Sequence, residues 1–86
     1  MRIYKYELLL LQTQTLKIPA PIQFLDLKTQ NGVPVLWVLV DTEKSDVELD
    51  IKMYGTGWNV PDDRAQDGYL GTVQINDFVG HYFIAV

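Results

Sequence analysis

Few side chains in this 86-residue sequence have the chemistry for catalysis. There is one serine, Ser45, in the charged stretch 41–46, and one histidine, His81, near the C-terminal end. A serine nucleophile needs a base within hydrogen-bond reach and a sharp glycine-flanked turn to expose it, and no glycine surrounds Ser45. His81 alternates with Val79 and Phe83 and shares their face, which suits a histidine satisfied within the structure better than a general base. Asp63, Asp67 and Gly68 match the first, fifth and sixth positions of a helix–loop–helix calcium site. Ala65 breaks the third position, and Gln74 stands where a bidentate glutamate is required. With no cysteine to supply thiolates, neither a metal nor another cofactor is expected, and the chain is not expected to be an enzyme.

The stretch Tyr54-Gly55-Thr56-Gly57-Trp58, closing on Pro61-Asp62-Asp63, carries a different chemistry. It is not a dinucleotide or triphosphate loop, because the third glycine and the lysine of those motifs are missing. Two glycines one residue apart permit positive φ and a tight turn, which can form a small nest of amides suited to an anionic group. Tyr54, Trp58 and the later Tyr69 offer ring faces on which a base can stack. Asp62 and Asp63 weigh against a bare phosphate and suit the amino edge of a base. The available counter-charges, Arg2, Lys5 and Lys17, must reach the loop from a neighbouring strand or a second subunit. The candidate ligand site is therefore Tyr54, Gly55, Thr56, Gly57, Trp58 and Tyr69. The same residues also fit a plain tight turn with aromatics filling a small core.

The elements that must position this loop read as strands. Residues 2–11 begin with β-branched and aromatic types, and the run Leu8–Leu11 continues them as an apolar strand. Leu16 and Ile18 alternate in a short second strand that Pro19 and Pro21 should end. Residues 22–29 form a third, with Leu25 and Leu27 on one face. Asn31-Gly32 suits the two positive-φ positions of a type I′ turn, so the third and fourth strands should be antiparallel neighbours. Residues 33–40 are apolar on both faces and should run through the core with Trp37 buried at its centre. Pro34 is expected at the first turn-proximal pair of that strand, its missing N–H facing away from the ladder. After a polar loop at 41–46, Val47, Leu49, Ile51 and Met53 alternate with charged residues, the period of a half-buried strand. Residues 69–75 and 79–86 are the last two strands, joined through Asn76-Asp77. No helix is indicated. Six to seven short strands imply one all-β domain over 1–86, a small antiparallel sandwich or barrel.

An apolar fraction of 48% argues against disorder. No apolar run reaches the length of a membrane span, and Leu8–Leu11, preceded by Glu7, makes a poor signal peptide. The absence of cysteine fits a reducing compartment. The net charge of −4 is unevenly spread: residues 1–40 hold four basic and two acidic side chains, residues 41–86 three and nine. The positives are scattered singly, which disfavours duplex nucleic acid. An open sheet this small leaves edges, and the leucine run is too apolar to face water on both sides, so a homodimer or higher homo-oligomer burying the N-terminal strand is expected.

Several stretches together resemble a family of short phage and prophage proteins of unknown function. They are Ile3-Tyr4-Lys5-Tyr6, Gln14-Thr15 before Ile18-Pro19, and Leu25 and Leu27 leading to Gln30-Asn31-Gly32. Leu36-Trp37, Val40-Asp41, Tyr54-Gly55-Thr56-Gly57 with Pro61-Asp62-Asp63, and Gly71-Thr72 with Gln74 continue the pattern in one register. The sequence departs from it at Trp58, where the family has histidine, at Pro21, where it has glycine, and at Phe83, where a histidine is expected and His81 stands two residues earlier. If those histidines bind metal or do chemistry elsewhere in the family, this member should not. The resemblance implies a phage-encoded protein acting in the cytoplasm of the infected bacterial host. Combined with the loop, it implies a counter-defence binder that sequesters a small nucleotide-type ligand. An adaptor or inhibitor docking on a host or phage protein is the competing expectation.

Overall fold

The computed structural model describes residues 1–85. Five strands account for most of them: β1 (Arg2–Glu7), β2 (Thr13–Gln30), β3 (Val33–Gly55), β4 (Gly68–Ile75) and β5 (Phe78–Ile84). All ladders are antiparallel; β3 lies at the centre with β2 along one edge, and β1 and then β5 along the other, with β4 outside β5. The fold is all-β, as the strand pattern predicts. Where the sequence suggests up to seven short strands, two long strands each do the work of two. Val86, expected to end the last strand, lies outside the described residues.

The reason is a shared corner. Ala20 pairs with Asp41 but Pro19 pairs with Asp46, so Thr42–Ser45 have no partner on β2 and form a wide bulge. The expected polar loop at 41–46 and the expected break at Pro19–Pro21 are one feature, a bend that both strands pass through without leaving the ladder. Bulges increase local twist and let a strand switch from one layer to another. The first half of β3 with β1 and the end of β2 makes one layer; its second half with the start of β2, β5 and β4 makes the other. The result is a sheet curled into a half-barrel.

The core lies between the layers. Leu36, Val38 and Val40 point inward from the first half of β3, and Ile51 and Met53 from the second. Leu8, Ile18, Leu27, Val73 and Tyr82 complete it. Tyr82 is its largest fully buried side chain, and its hydroxyl donates to the Leu9 carbonyl at 2.9 Å. Strand alternation puts Trp37 on the other face, opposite Lys5 and Asp26, where it is only half-buried. The expected central tryptophan is thus a flank of the sheet, and Val38 occupies the centre.

The Asn31-Gly32 turn has φ of 53° and 77°, both positive as a type I′ hairpin requires. Pro34 falls not in the turn-closing pair, which is Gln30 with Val33, but in the second, opposite Thr29, and its carbonyl accepts from the Leu8 N–H at 2.9 Å. The leucine run departs from expectation. The first strand ends at Glu7, and only Leu8 enters the core. Leu9 is held from outside the ladder: its N–H donates to Gln14 Oε1 (3.0 Å), and its carbonyl accepts from Gln14 Nε2 (2.9 Å). No helix long and apolar enough to cross a membrane occurs among the described residues.

Candidate functional site

The glycine loop is a four-residue turn at the end of β3. The Trp58 N–H donates to the Gly55 carbonyl at 3.1 Å, and Gly57 supplies the positive φ, 84°, at the third position. The turn sorts its side chains to opposite faces of the sheet. Gly55 pairs with Gly80 on β5, leaving a hollow on the core side. The Phe78 ring fills it, and the Trp58 indole closes over Phe78 with ring centroids 5.7 Å apart. A Cβ on Gly55 would lie 2.7 Å from Trp58 Cε2, so glycine is needed there for close approach rather than for φ. Trp58 is half-exposed and caps one end of the half-barrel, beside a small recess of about 200 Å³ that includes Asp77 and Val79.

Thr56 turns to the outer face, where the strand registers build a second cluster. Tyr54, His81 and Thr72 stand in one row across β3, β5 and β4; Lys52, Phe83 and Tyr69 stand in the next. Thr56 Oγ1 meets His81 Nε2 at 2.7 Å, and Thr72 Oγ1 meets His81 Nδ1 at 2.8 Å. The Tyr69 hydroxyl bonds in turn to Thr72 Oγ1. Each hydroxyl both donates and accepts, so the chain Thr56–His81–Thr72–Tyr69 can run in either direction. His81 is fully engaged by hydroxyls, the satisfied histidine its position in the strand suggests. Ser45 stands in the corner bulge and is not among its partners.

Tyr54 and Tyr69 both pack on Phe83, at centroid distances of 6.1 and 5.5 Å, but with different outcomes. Tyr54 is buried, beside Pro61, Asp63 and Arg64 of the following loop. Tyr69 is 62% exposed. It is therefore held at its hydroxyl and on one side of its ring while the rest of the ring faces outward.

Tyr69 also stands at the mouth of a groove that no loop motif announces. The end of β2 and the length of β4 run alongside each other without a ladder between them. Thr29 Oγ1 donates to the Gln74 carbonyl at 3.3 Å, and Leu27 lies against Gly71, where a Cβ would come within 3.0 Å of the leucine's own Cβ. Beyond those contacts the strands part. Each carries a bulge at that level: Leu25 is passed over between Phe24 and Asp26 on β2, and Leu70 between Tyr69 and Gly71 on β4. Here the seam is open, leaving a groove of about 380 Å³ with Phe24, Leu25, Leu36, Leu70 and Ile84 on its walls. Asp26 is its one acidic lining residue; its Oδ1 accepts from the Leu27 N–H (2.9 Å) and its Oδ2 lies 3.3 Å from Lys28 Nζ.

Of the six loop-site residues, then, Tyr54, Thr56 and Tyr69 converge through Phe83 and His81 on the outer face. Gly55 and Trp58 belong to the core-side cap, and Gly57 shapes the turn. Pro61 precedes a short 3-10 turn, Asp62–Arg64. The Arg64 guanidinium lies between Asp63 (3.8 Å) and Asp67 (3.7 Å), in the space a cation bound by those carboxylates would take. The nearby cations are Lys52 and Arg64, not the Arg2, Lys5 and Lys17 that the sequence offers. Lys52 could have been found, since it precedes Tyr54 by two residues and so shares its face. Phe24, Leu25, Asp26 and Leu70 could not, because their position depends on bulges.

Comparison with curated proteins and with solved structures finds no match. A family model does match, over residues 1–85 and thus nearly the whole chain. The chain belongs to the family described as a domain of unknown function, DUF7352.

Proposed function

We propose that this domain is a non-catalytic binding protein that holds a small planar ligand of nucleotide type against Tyr69, in the groove between the second and fourth strands. The observation that carries the reading is the state of Tyr69, exposed yet fixed at both hydroxyl and ring. A tyrosine restrained in this way loses little entropy when a base stacks on it, and such stacking contributes about 1–3 kcal/mol per base. The apolar walls suit the body of a ring. The Asp26 carboxylate, half-exposed at the side, suits the amino edge of a purine. The resemblance to short phage and prophage proteins supplies the setting: sequestration of a nucleotide signal in the infected bacterial cell, as counter-defence.

The test is calorimetric titration of a panel of linear and cyclic nucleotides against the wild type, Tyr69→Ala and Trp58→Ala. One nucleotide is expected to bind more tightly than about 100 μM, roughly −5.5 kcal/mol. Tyr69→Ala should weaken it at least about tenfold, and Trp58→Ala, on the opposite face, should leave it unchanged. If nothing in the panel binds, protein–protein inhibition becomes the better reading.

One observation favours a protein partner as well. Leu9, Leu10 and Leu11 are 58%, 46% and 51% exposed on a loop whose backbone is pinned by Gln14 and Tyr82. Three adjacent exposed leucines, the first fixed at its backbone, form an apolar knuckle beside the open edge of β1. A second copy of the chain covering this knuckle is the partner proposed here.

A further inference from the structure

We infer that Lys52 is the anion position of the same site, so that the ligand held by Tyr69 carries a phosphate directed along the outer face toward Lys52. This rests on the reading above and adds what that reading leaves open, the placement of the charged group. Lys52, Phe83 and Tyr69 are directly in register on three adjacent strands and share one face. Two strand spacings separate the backbone of Lys52 from that of Tyr69, about 10 Å. The ring in the groove lies on the side of Tyr69 away from β5, so the phosphate must reach past Tyr69 and Phe83, a span that a nucleotide's sugar and phosphate bridge together with the long lysine side chain.

The surroundings of Lys52 suit an anion. The side chain is half-buried, and among the described residues no carboxylate lies within ion-pair distance of it. It lines a second groove, of about 430 Å³, with Gln12, Thr13, Tyr54, Pro61, Asp63 and Arg64. Gln12 and Thr13 add an amide and a hydroxyl donor, and Thr13 stands directly opposite Lys52 in the ladder. Asp63 is the only acid on the groove, and it is exposed at the rim and paired with Arg64. A lysine in a groove, short of a counter-charge and ringed by donors, gains charge-assisted hydrogen bonds when a phosphate arrives.

The experiment compares a nucleoside with its phosphorylated form, using whichever base binds best, against the wild type and Lys52→Gln at low and moderate salt. In the wild type the phosphate should tighten binding by about tenfold, the scale of one charge-assisted hydrogen bond. That gain should shrink with salt and vanish in Lys52→Gln, while nucleoside affinity stays the same in both proteins. A nucleoside that binds through Tyr69 with no gain from phosphate, or a gain that survives Lys52→Gln, overturns the assignment of Lys52 and leaves the stacking site standing. If neither form binds the wild type, both are overturned.

Discussion

Trp58 offers a sharp test, because its position as cap rather than ligand platform has an energetic consequence. Trp58→Ala removes a half-exposed indole that packs on Phe78 and Gly55. Full burial of a tryptophan is worth about 3–5 kcal/mol on truncation, so a side chain half in water should cost roughly half of that. Gly55→Ala attacks the same contact from below. Its Cβ would sit 2.7 and 2.8 Å from two indole atoms and 3.0 Å from Phe78 Cε1. Either the indole lifts off or the strand shifts, at a cost of about 1–3 kcal/mol. Gly55 has no positive φ, so the backbone itself does not resist alanine. With the indole gone, the Phe78 contact at 3.0 Å remains, and the lower unfolded-state entropy of alanine offsets part of it. The double variant should therefore be less destabilised than the sum of the singles, with a coupling energy of about 1–2 kcal/mol. Urea unfolding of the four proteins, followed by far-ultraviolet circular dichroism, measures it. If Gly55→Ala costs the same with and without Trp58, the indole does not rest on Gly55, and the division of the loop between two faces is wrong.

Three further outcomes are expected. Val38→Ala should destabilise by about 2–3 kcal/mol as a core truncation and Trp37→Ala by less, and denaturant titration giving the reverse order would place the tryptophan at the centre after all. Burial raises the pKa of Tyr82, and burial, then Tyr4 and Asp46, that of Tyr6; the neutral phenols therefore contribute stability that is complete below the unfolded value near 10 and is lost as pH rises through the raised folded values. Unfolding melts across that alkaline window should show the decline, and a Tyr82→Phe, Tyr6→Phe variant should not. Sedimentation at micromolar concentration should find a dimer that Leu10→Glu with Leu11→Glu dissociates; a 9.9 kDa species from the wild type would refute the proposal that a second copy covers the leucine knuckle.

Much of the fold can be read from short-range chemistry. Asn31-Gly32 names its own turn type because two positive-φ positions in succession suit few other pairs. The alternation over 46–54 marks the face that meets the core, and Ile51 and Met53 are buried there. Trp37 shows where such reading ends. In an apolar run on both faces, period two gives two equal answers, and side-chain size does not choose between them. Only the neighbours of β3 in space make Val38 the inward residue. Likewise Pro19, Pro21 and the charges at 41–46 signal an interruption, but not that two strands are interrupted together and bend as a pair.

The site divides along the same line. Period two links Lys52 to Tyr54, and the glycines foretell the turn, so that half of the outer face was within reach of the sequence. The sequence marks Tyr69 only by its ring; what fixes that ring is Thr72 three residues on and a phenylalanine from another strand. The groove depends on two bulges, Leu25 and Leu70, more than forty positions apart, whose meeting follows from the curl of the whole sheet. An extra residue in a strand has no composition of its own, and leucine is the least distinctive choice for it. Yet the bulges are what a ligand would need. They leave Leu25 without a pair on β3 and Leu70 without one on β5, and both side chains line the groove, while Leu27 and Gly71 close the seam by contact at the other end. The curl of the half-barrel brings two strand edges together at one end and leaves them apart at the other, so the groove follows from the course of the whole sheet rather than from any one segment.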